Sequence, residues 1–378
     1  MQEIKGIAKY IVDNLVKRTL ELSQGRNVGC FGFVDNEGYV STTTELIDGG
    51  LSGIPLRILL DKITSMDNKS MIEGLESLPD NAVFISTRPG KTGLITNLSG
   101  VDFFNLPIIS IGVKNEGLAG VGVVYPEDEY FDWLTESEKM DINTLASKTM
   151  EEEKEVLRKN NELVLQLLDV SRELQIVDLP ENPPYYRQNP ESTWNVPRVQ
   201  VNSIDKEMAE NLVKHSIEVG QGREVAALGR LKDGKIFPEG KTVEGGMGYV
   251  PSRLLASSLV DVSGKSLREI YRSDVPEDAV IVHTHPGGTG VMHIGDANAG
   301  PGTWGRPIVA IGHDKEGNIK GATVVENTEK LHQLAEEDES LNLEFFKVET
   351  QEEESQVRNR KFGIAQEYTS LCKPIEIN

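Results

Sequence analysis

The chain has little that would suit a membrane, a nucleic acid or an oxidising compartment. Its two cysteines, Cys30 and Cys372, exclude a disulfide framework and a Cys-x-x-Cys zinc site, and they favour a reducing, cytoplasmic environment. No apolar run approaches the length of about twenty residues that a membrane span needs. Lysine and arginine number 39 against 60 acidic residues, so the net charge of −21 repels phosphate backbones. We therefore expect neither membrane nor nucleic acid as a partner.

Histidine is also scarce, yet three of the six histidines lie close together, at positions 283, 285 and 293. An apolar run at 279–282 leads into the first of them and predicts a strand. Side chains on a strand alternate between faces, so His283 and His285 should project from the same side. Two imidazoles and the carboxylate of Asp296 suit zinc and leave a fourth position open, as in a catalytic site. An isolated His-x-His pair is weak evidence, and Asp296 helps only if the chain turns back toward the pair.

The order of these residues resembles the JAMM motif of the MPN/JAB metallopeptidases, over about residues 200–330. The matching positions are His283-Thr284-His285-Pro286 followed by Asp296. The family also uses an upstream glutamate between its first helix and first strand, and Glu224 occupies that place after an amphipathic stretch at 207–219. The resemblance implies that His283, His285 and Asp296 hold Zn²⁺. It also implies that Glu224 is the general base acting through the zinc-bound water.

One position departs from the family motif. Where the family has a serine that stabilises the tetrahedral intermediate, this chain has His293. A histidine can donate a hydrogen bond to an oxyanion, so His293 is a candidate catalytic residue. It could instead become a third imidazole ligand and close the metal site. Histidine is also a poor helix cap, and Gly300-Pro301-Gly302 should cut short the helix that carries Asp296.

The chain also repeats itself. The segment Gln24-Gly25-Arg26 recurs as Gln221-Gly222-Arg223, and 78–93 recurs as 275–290 with eight of sixteen positions identical. Such a long period indicates two duplicated domains rather than a solenoid. The first copy lacks all four expected metal-site groups, because Asn27, Ser86, Arg88 and Ser99 stand in the places of Glu224, His283, His285 and Asp296. Arg88 puts a fixed cation where a metal would lie, so we expect zinc only in the second copy.

Strands mixed with helices at this spacing predict an α/β or α+β fold. The resemblance adds two tandem JAB/MPN-like (cytidine-deaminase-like) domains with mixed sheets flanked by helices, each followed by an acidic helical tail. In the second copy, periodicity predicts helices at 207–219 and 253–260 and strands at 225–231, 280–285, 307–313 and 320–325. The expected organisation is a degenerate domain at 1–134, an acidic helical segment at 135–179, a proline-rich linker at 180–198, a metal-binding domain at 199–327 and an acidic helical tail at 328–378.

Three functions are compatible with these observations. The first is a zinc-dependent metallopeptidase or isopeptidase acting on a protein or peptide, with a ubiquitin-like modifier as one possible substrate. The second is a non-catalytic binding or assembly module, and the third is a zinc hydrolase of a small amide. Because duplicated domains inherit the contact surface of an ancestral dimer, we also expect the copies to form an intramolecular pseudo-dimer. We expect an apolar stripe of the first tail, Leu157, Val164 and Leu168, to lie in its seam.

Overall fold

The computed structural model describes residues 2–51, 53–95, 98–167, 170–187 and 194–378. The first copy contains β1 (Gly6–Ala8), α1 (Lys9–Leu22), β2 (Val28–Val34), β3 (Tyr39–Thr43), β4 (Ile47–Asp48), α2 (Leu56–Asp61), α3 (Met71–Leu75), β5 (Ala82–Pro89), α4 (Ser99–Phe104), β6 (Ile108–Lys114), β7 (Gly117–Val124), α5 (Asp128–Ala146), α6 (Met150–Leu167), β8 (Arg172–Glu173) and β9 (Gln175–Val177).

The second copy repeats this order of elements. It contains β10 (Ser203–Ile204), α7 (Lys206–Val219), β11 (Val225–Lys232), β12 (Lys235–Pro238), β13 (Val243–Glu244), α8 (Ser252–Ser257), α9 (Leu267–Glu269), a π-helix (Ile270–Asp274), β14 (Ala279–Pro286), α10 (Ile294–Ala297), a second π-helix (Asn298–Trp304), β15 (Ile308–His313), β16 (Ile319–Val325), α11 (Glu329–Phe345), α12 (Gln351–Leu371), β17 (Lys373–Pro374) and β18 (Glu376–Ile377). The helices and strands predicted for this copy are confirmed, although α8 ends earlier than expected.

The expected mixed α/β architecture is confirmed. Each copy has one sheet, with the strand orders β8-β7-β6-β5-β2-β3-β1-β9 and β17-β16-β15-β14-β11-β12-β10-β18. The pairs β5–β6 and β14–β15 are parallel, whereas the neighbouring pairs β2–β5 and β11–β14 are antiparallel. The segments 172–177 and 373–377 pair with both outer strands of their sheet, so each sheet is nearly closed. The end of each helical tail therefore belongs to a sheet.

The sequence dictates the central strands and the first helix of each copy. All but the last residue of β14 are buried, as expected for a strand that is covered on both faces. Helix α7 begins where the Asp205 carboxylate accepts a hydrogen bond from the Met208 amide at 3.2 Å. Its apolar residues Met208, Leu212 and Val213 then pack onto one face of the sheet. Within the described residues, no helix is long and apolar enough to cross a membrane.

The duplication extends to the register of the strands. Gly29 pairs with Ser86 in the first copy, and Ala226 pairs with His283 at the equivalent place in the second. On the other side, Ser86 pairs with Ser110 and His283 pairs with Ala310. Residues that correspond in the two copies thus occupy equivalent positions in their sheets, although their side chains differ.

The copies contact each other through reciprocal pairs of elements. The Glu339 carboxylate on α11 accepts hydrogen bonds from the amides of Arg57 and Ile58 at the start of α2, at 3.0 and 3.2 Å. The Glu138 carboxylate on α5 accepts one from the Leu254 amide on α8 at 3.0 Å. This exchange of equivalent groups is the pattern of an isologous contact.

Two buried arginines complete this contact. The Arg253 side chain donates to the Asp102 carboxylate of the first copy at 2.6 Å, and both side chains are almost fully buried. The Arg57 side chain lies 3.1 Å from Nδ1 of His332 in the second copy. Burial and, to a smaller extent, the nearby charge of Arg57 lower the pKa of His332 to about 2, so this ring stays neutral. Each copy therefore contributes one buried arginine whose side chain contacts a polar side chain of the other copy.

Leu157, the described residue of the apolar stripe expected in the seam, is 43% exposed rather than buried there. Helix α6 packs on α5, just as α12 packs on α11. The contacts between copies instead involve α2 with α11 and α5 with α8. Leu168 and the side chain of Val164 lie outside the described residues.

The buried carboxylates predict an unusual pH dependence of stability. Burial raises the pKa of Glu138 to about 7, above its value in an unfolded chain, so the folded state holds a proton that the unfolded state has released. Stability should therefore fall between about pH 4.5 and pH 7.5, by up to about 3 kcal/mol from this residue. Denaturant unfolding at both pH values should show this fall, and Glu138→Gln should reduce it. An equal slope in the variant would contradict the assignment.

Candidate metal centre

The centre begins at the carboxyl end of β14. His283 and His285 project from the same face, as the alternation predicts, and both are buried. Between them Thr284 faces the other way, and its hydroxyl oxygen accepts a hydrogen bond from the Val225 amide at 3.0 Å. This bond ties the start of β11 to β14 and sets Glu224 beside the histidines. We did not single out Thr284 from the sequence, although its retention as Thr87 in the first copy was a usable signal.

Three candidate ligands converge with spacings that suit zinc. The Nε2 atoms of His283 and His285 lie 2.9 Å apart. One carboxylate oxygen of Asp296 lies 3.6 Å from Nε2 of His283, and the other lies 3.5 Å from Nε2 of His285. Two ligands at typical Zn–N and Zn–O distances on a tetrahedral ion are about 3.3 Å apart. The three residues therefore fit a zinc ion, and the chain does turn back to bring Asp296 to the pair.

Glu224 lies beside the histidine pair. The ligand-type atoms of Glu224, His283 and His285 all lie within 4.8 Å of one another, and Glu224 is only 7% exposed. Burial raises the pKa of Glu224, although the two histidines partly oppose this. Both carboxylates therefore lie within reach of the histidine pair, and it is the resemblance to the motif that makes Asp296 the third ligand and Glu224 the base. Glu224 is then left free to exchange a proton.

The charges within the centre reinforce one another. Burial by itself lowers the pKa of His285, but hydrogen bonding and attraction to Asp296 outweigh burial and raise it. Burial opposes ionisation of Asp296, yet hydrogen bonds with His283 and His285 hold the pKa of that carboxyl well below its usual range. Asp296 therefore stays anionic, and without a metal it favours a proton on His285. A metal ion must displace that proton in order to bind.

His293 lies at the exposed edge of the centre. Its side chain is 80% exposed, with Nδ1 at 3.0 Å from an oxygen of Asp296. Its ring stacks against His285 with the centroids 5.6 Å apart. His293 thus contacts a ligand residue but lies outside the buried cluster of Glu224, His283 and His285. This position suits a hydrogen-bond donor toward a bound molecule better than a third imidazole ligand.

The helix carrying Asp296 differs from the sequence prediction. The Asp296 carboxylate accepts a hydrogen bond from the His293 amide at 3.1 Å, so the helix start is satisfied despite the missing serine. The α-helix that carries Asp296 is short, as predicted, and ends at Ala297, but the chain then continues as a π-helix through Pro301 to Trp304. Tertiary packing overrides local propensity here, because Pro301 is buried and Trp304 stacks on Tyr271 at 4.4 Å.

Other acidic and histidine side chains of the second copy have separate roles. Glu244 pairs with Arg223 at 3.1 Å, and Glu239 pairs with Arg230 at 3.3 Å. Nε2 of His313 lies 3.0 Å from the Ser216 hydroxyl. His332 belongs to the contact between copies. None of these side chains joins the cluster at the end of β14.

The first copy keeps the frame of this centre and lacks its ligands. Gly290 has a φ of +84° and packs closely on the sheet. A Cβ added at Gly312 would lie 2.2 Å from the amide nitrogen of Gly290, so only glycine fits at position 312. Gly93 and Gly112 repeat this approach in the first copy. Among the described residues, the first copy has no group of converging ligand-type side chains to match Glu224, His283 and His285 of the second copy.

Comparison of the chain with family models, with curated proteins and with solved structures finds no match. The assignment of this site therefore depends on its own geometry and on the motif.

Proposed function

We propose that the second copy is a zinc-dependent hydrolase of amide bonds, of the JAMM type, acting on a peptide or isopeptide. The observation that carries this proposal is the convergence of His283, His285 and Asp296 next to the buried Glu224. The mixed sheet flanked by helices and the order Glu, His-x-His, Asp along the chain support a JAB/MPN-like domain. The substrate class follows from the motif.

Each residue of the centre has a distinct role in this proposal. Bound zinc would act as a Lewis acid toward water and toward the amide carbonyl. Glu224 accepts the proton of the attacking water and passes it to the leaving nitrogen. Burial raises the pKa of Glu224 above its ordinary value, which makes the carboxylate a better proton acceptor. Asp296 and the two histidines hold the metal.

His293 takes the place of the family serine in this scheme. It is exposed at the rim and adjoins Asp296, so it can donate a hydrogen bond to the carbonyl oxygen as negative charge develops there. The wide exposure of this ring also leaves room for a polypeptide to approach the centre from solvent.

The proposal predicts amide cleavage by the full chain. Zinc-loaded protein should release amines from internally quenched peptides or from a lysine isopeptide conjugate, and chelation followed by added zinc should remove and restore this activity. A panel of small amides run in parallel would identify the metabolite-hydrolase alternative. Stoichiometric zinc without cleavage of any of these substrates would contradict the enzymatic proposal and favour the binding module.

A further inference from the structure

A second candidate site lies in the first copy, at the place that corresponds to the metal centre. An open cleft of about 760 Å³ lies there, a volume typical of small-ligand sites. Its lining includes all four residues that replace the metal-site groups, Asn27, Ser86, Arg88 and Ser99. The duplication has therefore preserved a concave site while changing its chemistry.

Arg88 is the feature of this cleft that lacks an explanation within the chain. Its Nε is fully buried without a hydrogen-bond partner, and no ion pair of Arg88 occurs among the described residues. Burial alone lowers the pKa of Arg88, with no contribution from an acidic neighbour. The Arg88 side chain as a whole is partly buried. A guanidinium keeps its charge in proteins, and a partly buried charge without a counter-charge is less favourable than a hydrated one. The folded chain thus holds a cation ready for an anion from outside.

A second polar group beside Arg88 is also unsatisfied. The hydroxyl of Ser110 is buried without a hydrogen-bond partner in the described chain, and Ser110 pairs with Ser86 in the sheet. Ser86 and Arg88 point to the same face of β5. In the second copy Ala310 replaces Ser110, so the extra hydroxyl belongs to the first copy alone.

The rest of the lining restricts the charge and shape of a ligand. Glu138, Asp141 and Lys91 also line the cleft. Burial raises the pKa of Glu138 to about 7, so this side chain is mostly ionised at pH 8. At that pH Glu138 and Asp141 would repel a multiply charged anion such as a diphosphate more strongly than a singly charged one. The Asp102 carboxylate is already paired with Arg253. Most of the remaining wall is apolar and would pack on a hydrocarbon body, and it includes Leu51, Ile54, Phe84, Phe103 and Leu134.

We propose that this cleft binds a ligand with a single carboxylate on an apolar body, and that the Arg88 guanidinium is its counter-charge. A planar guanidinium matches a carboxylate through paired hydrogen bonds. Such a carboxylate could belong to a free small acid or to the C-terminal residue of a peptide. This site is independent of the zinc proposal, because it uses none of the residues of the metal centre.

Calorimetric titration of the full chain tests this site. N-acetylphenylalanine should bind with one site per chain, its neutral amide at least tenfold more weakly, and Arg88→Met should weaken the acid at least tenfold. Arg172→Met, at an exposed arginine of the same copy, should change nothing. Binding should survive removal of metal by chelation, which separates this site from the metal centre. The tripeptide Ala-Ala-Phe distinguishes the two sources, since affinity at least equal to that of the acid indicates a peptide end and much weaker binding indicates a free acid.

Stability supplies a second readout. Arg88→Met should melt at the same or a higher temperature than the parent without ligand, because it removes a partly buried charge that has no counter-charge among the described residues. A clear fall in melting temperature would show that Arg88 is structural and would overturn the proposal. Equal affinity for the acid and its amide, unchanged affinity in Arg88→Met, or selective binding of inorganic phosphate would overturn it as well.

Discussion

Glu224→Gln should reduce amide turnover by about 10²- to 10⁴-fold while zinc content stays at the parental level. The glutamine keeps the size and hydrogen-bonding capacity of the side chain in its buried position. It cannot accept the proton of the attacking water. Because the proposal assigns the metal to Asp296 and the two histidines, zinc content should not depend on Glu224. Steady-state kinetics and metal analysis of the same preparation measure the two effects separately.

Two glutamates of the same copy serve as matched controls. Glu239→Gln and Glu244→Gln alter carboxylates that pair with Arg230 and Arg223 outside the cluster, so turnover should change less than about threefold. Loss of zinc in Glu224→Gln would instead make Glu224 a ligand. Full activity in that variant would remove it from the mechanism.

Asp102→Ala should destabilise the chain by about 3 kcal/mol at pH 8, where the carboxylate is ionised. The substitution leaves Arg253 buried without its partner in the other copy. Burial raises the pKa of Asp102 to about 6 even though Arg253 opposes this, so burying the ionised pair reduces its net contribution to stability. Removing the carboxylate reduces stability further, because it leaves the Arg253 charge buried alone. Chemical denaturation with a fixed protein concentration measures the loss.

Asp102→Asn and Asp13→Ala are the control variants for this measurement. The asparagine keeps a hydrogen-bond acceptor for Arg253 and should cost less than the alanine. Asp13 pairs with Lys9 on the exposed face of α1, and its loss should cost less than about 1 kcal/mol. If Asp102→Ala were as mild as Asp13→Ala, the buried contact would not hold the two copies together.

Much of the second copy follows from local sequence signals. An apolar run bounded by Pro286 predicts β14, and alternation on that strand places His283 and His285 on one face. The repeat predicts that the first copy has the same fold, and the equal strand registers show that it does. The motif also correctly predicted that Asp296 and Glu224 lie beside the two histidines.

The features that the sequence did not predict depend on tertiary context. The π-helix through Pro301 is held by the burial of Pro301 and Trp304, which no local propensity reveals. The return of segments 172–177 and 373–377 to the sheets depends on pairing with distant strands. The unpaired charge of Arg88 was visible as a substitution, but only the structure shows the cleft around it.

The measurement that tests the central claim most directly is the zinc content of the full chain. Elemental analysis after equilibration with zinc and removal of the excess should give one zinc per chain. The His283→Ala, His285→Ala double variant should retain almost none, whereas His215→Ala, at a half-exposed histidine beside Glu244, should retain one. A parental chain without zinc, or a double variant that still holds one zinc, would contradict the metal centre at the end of β14.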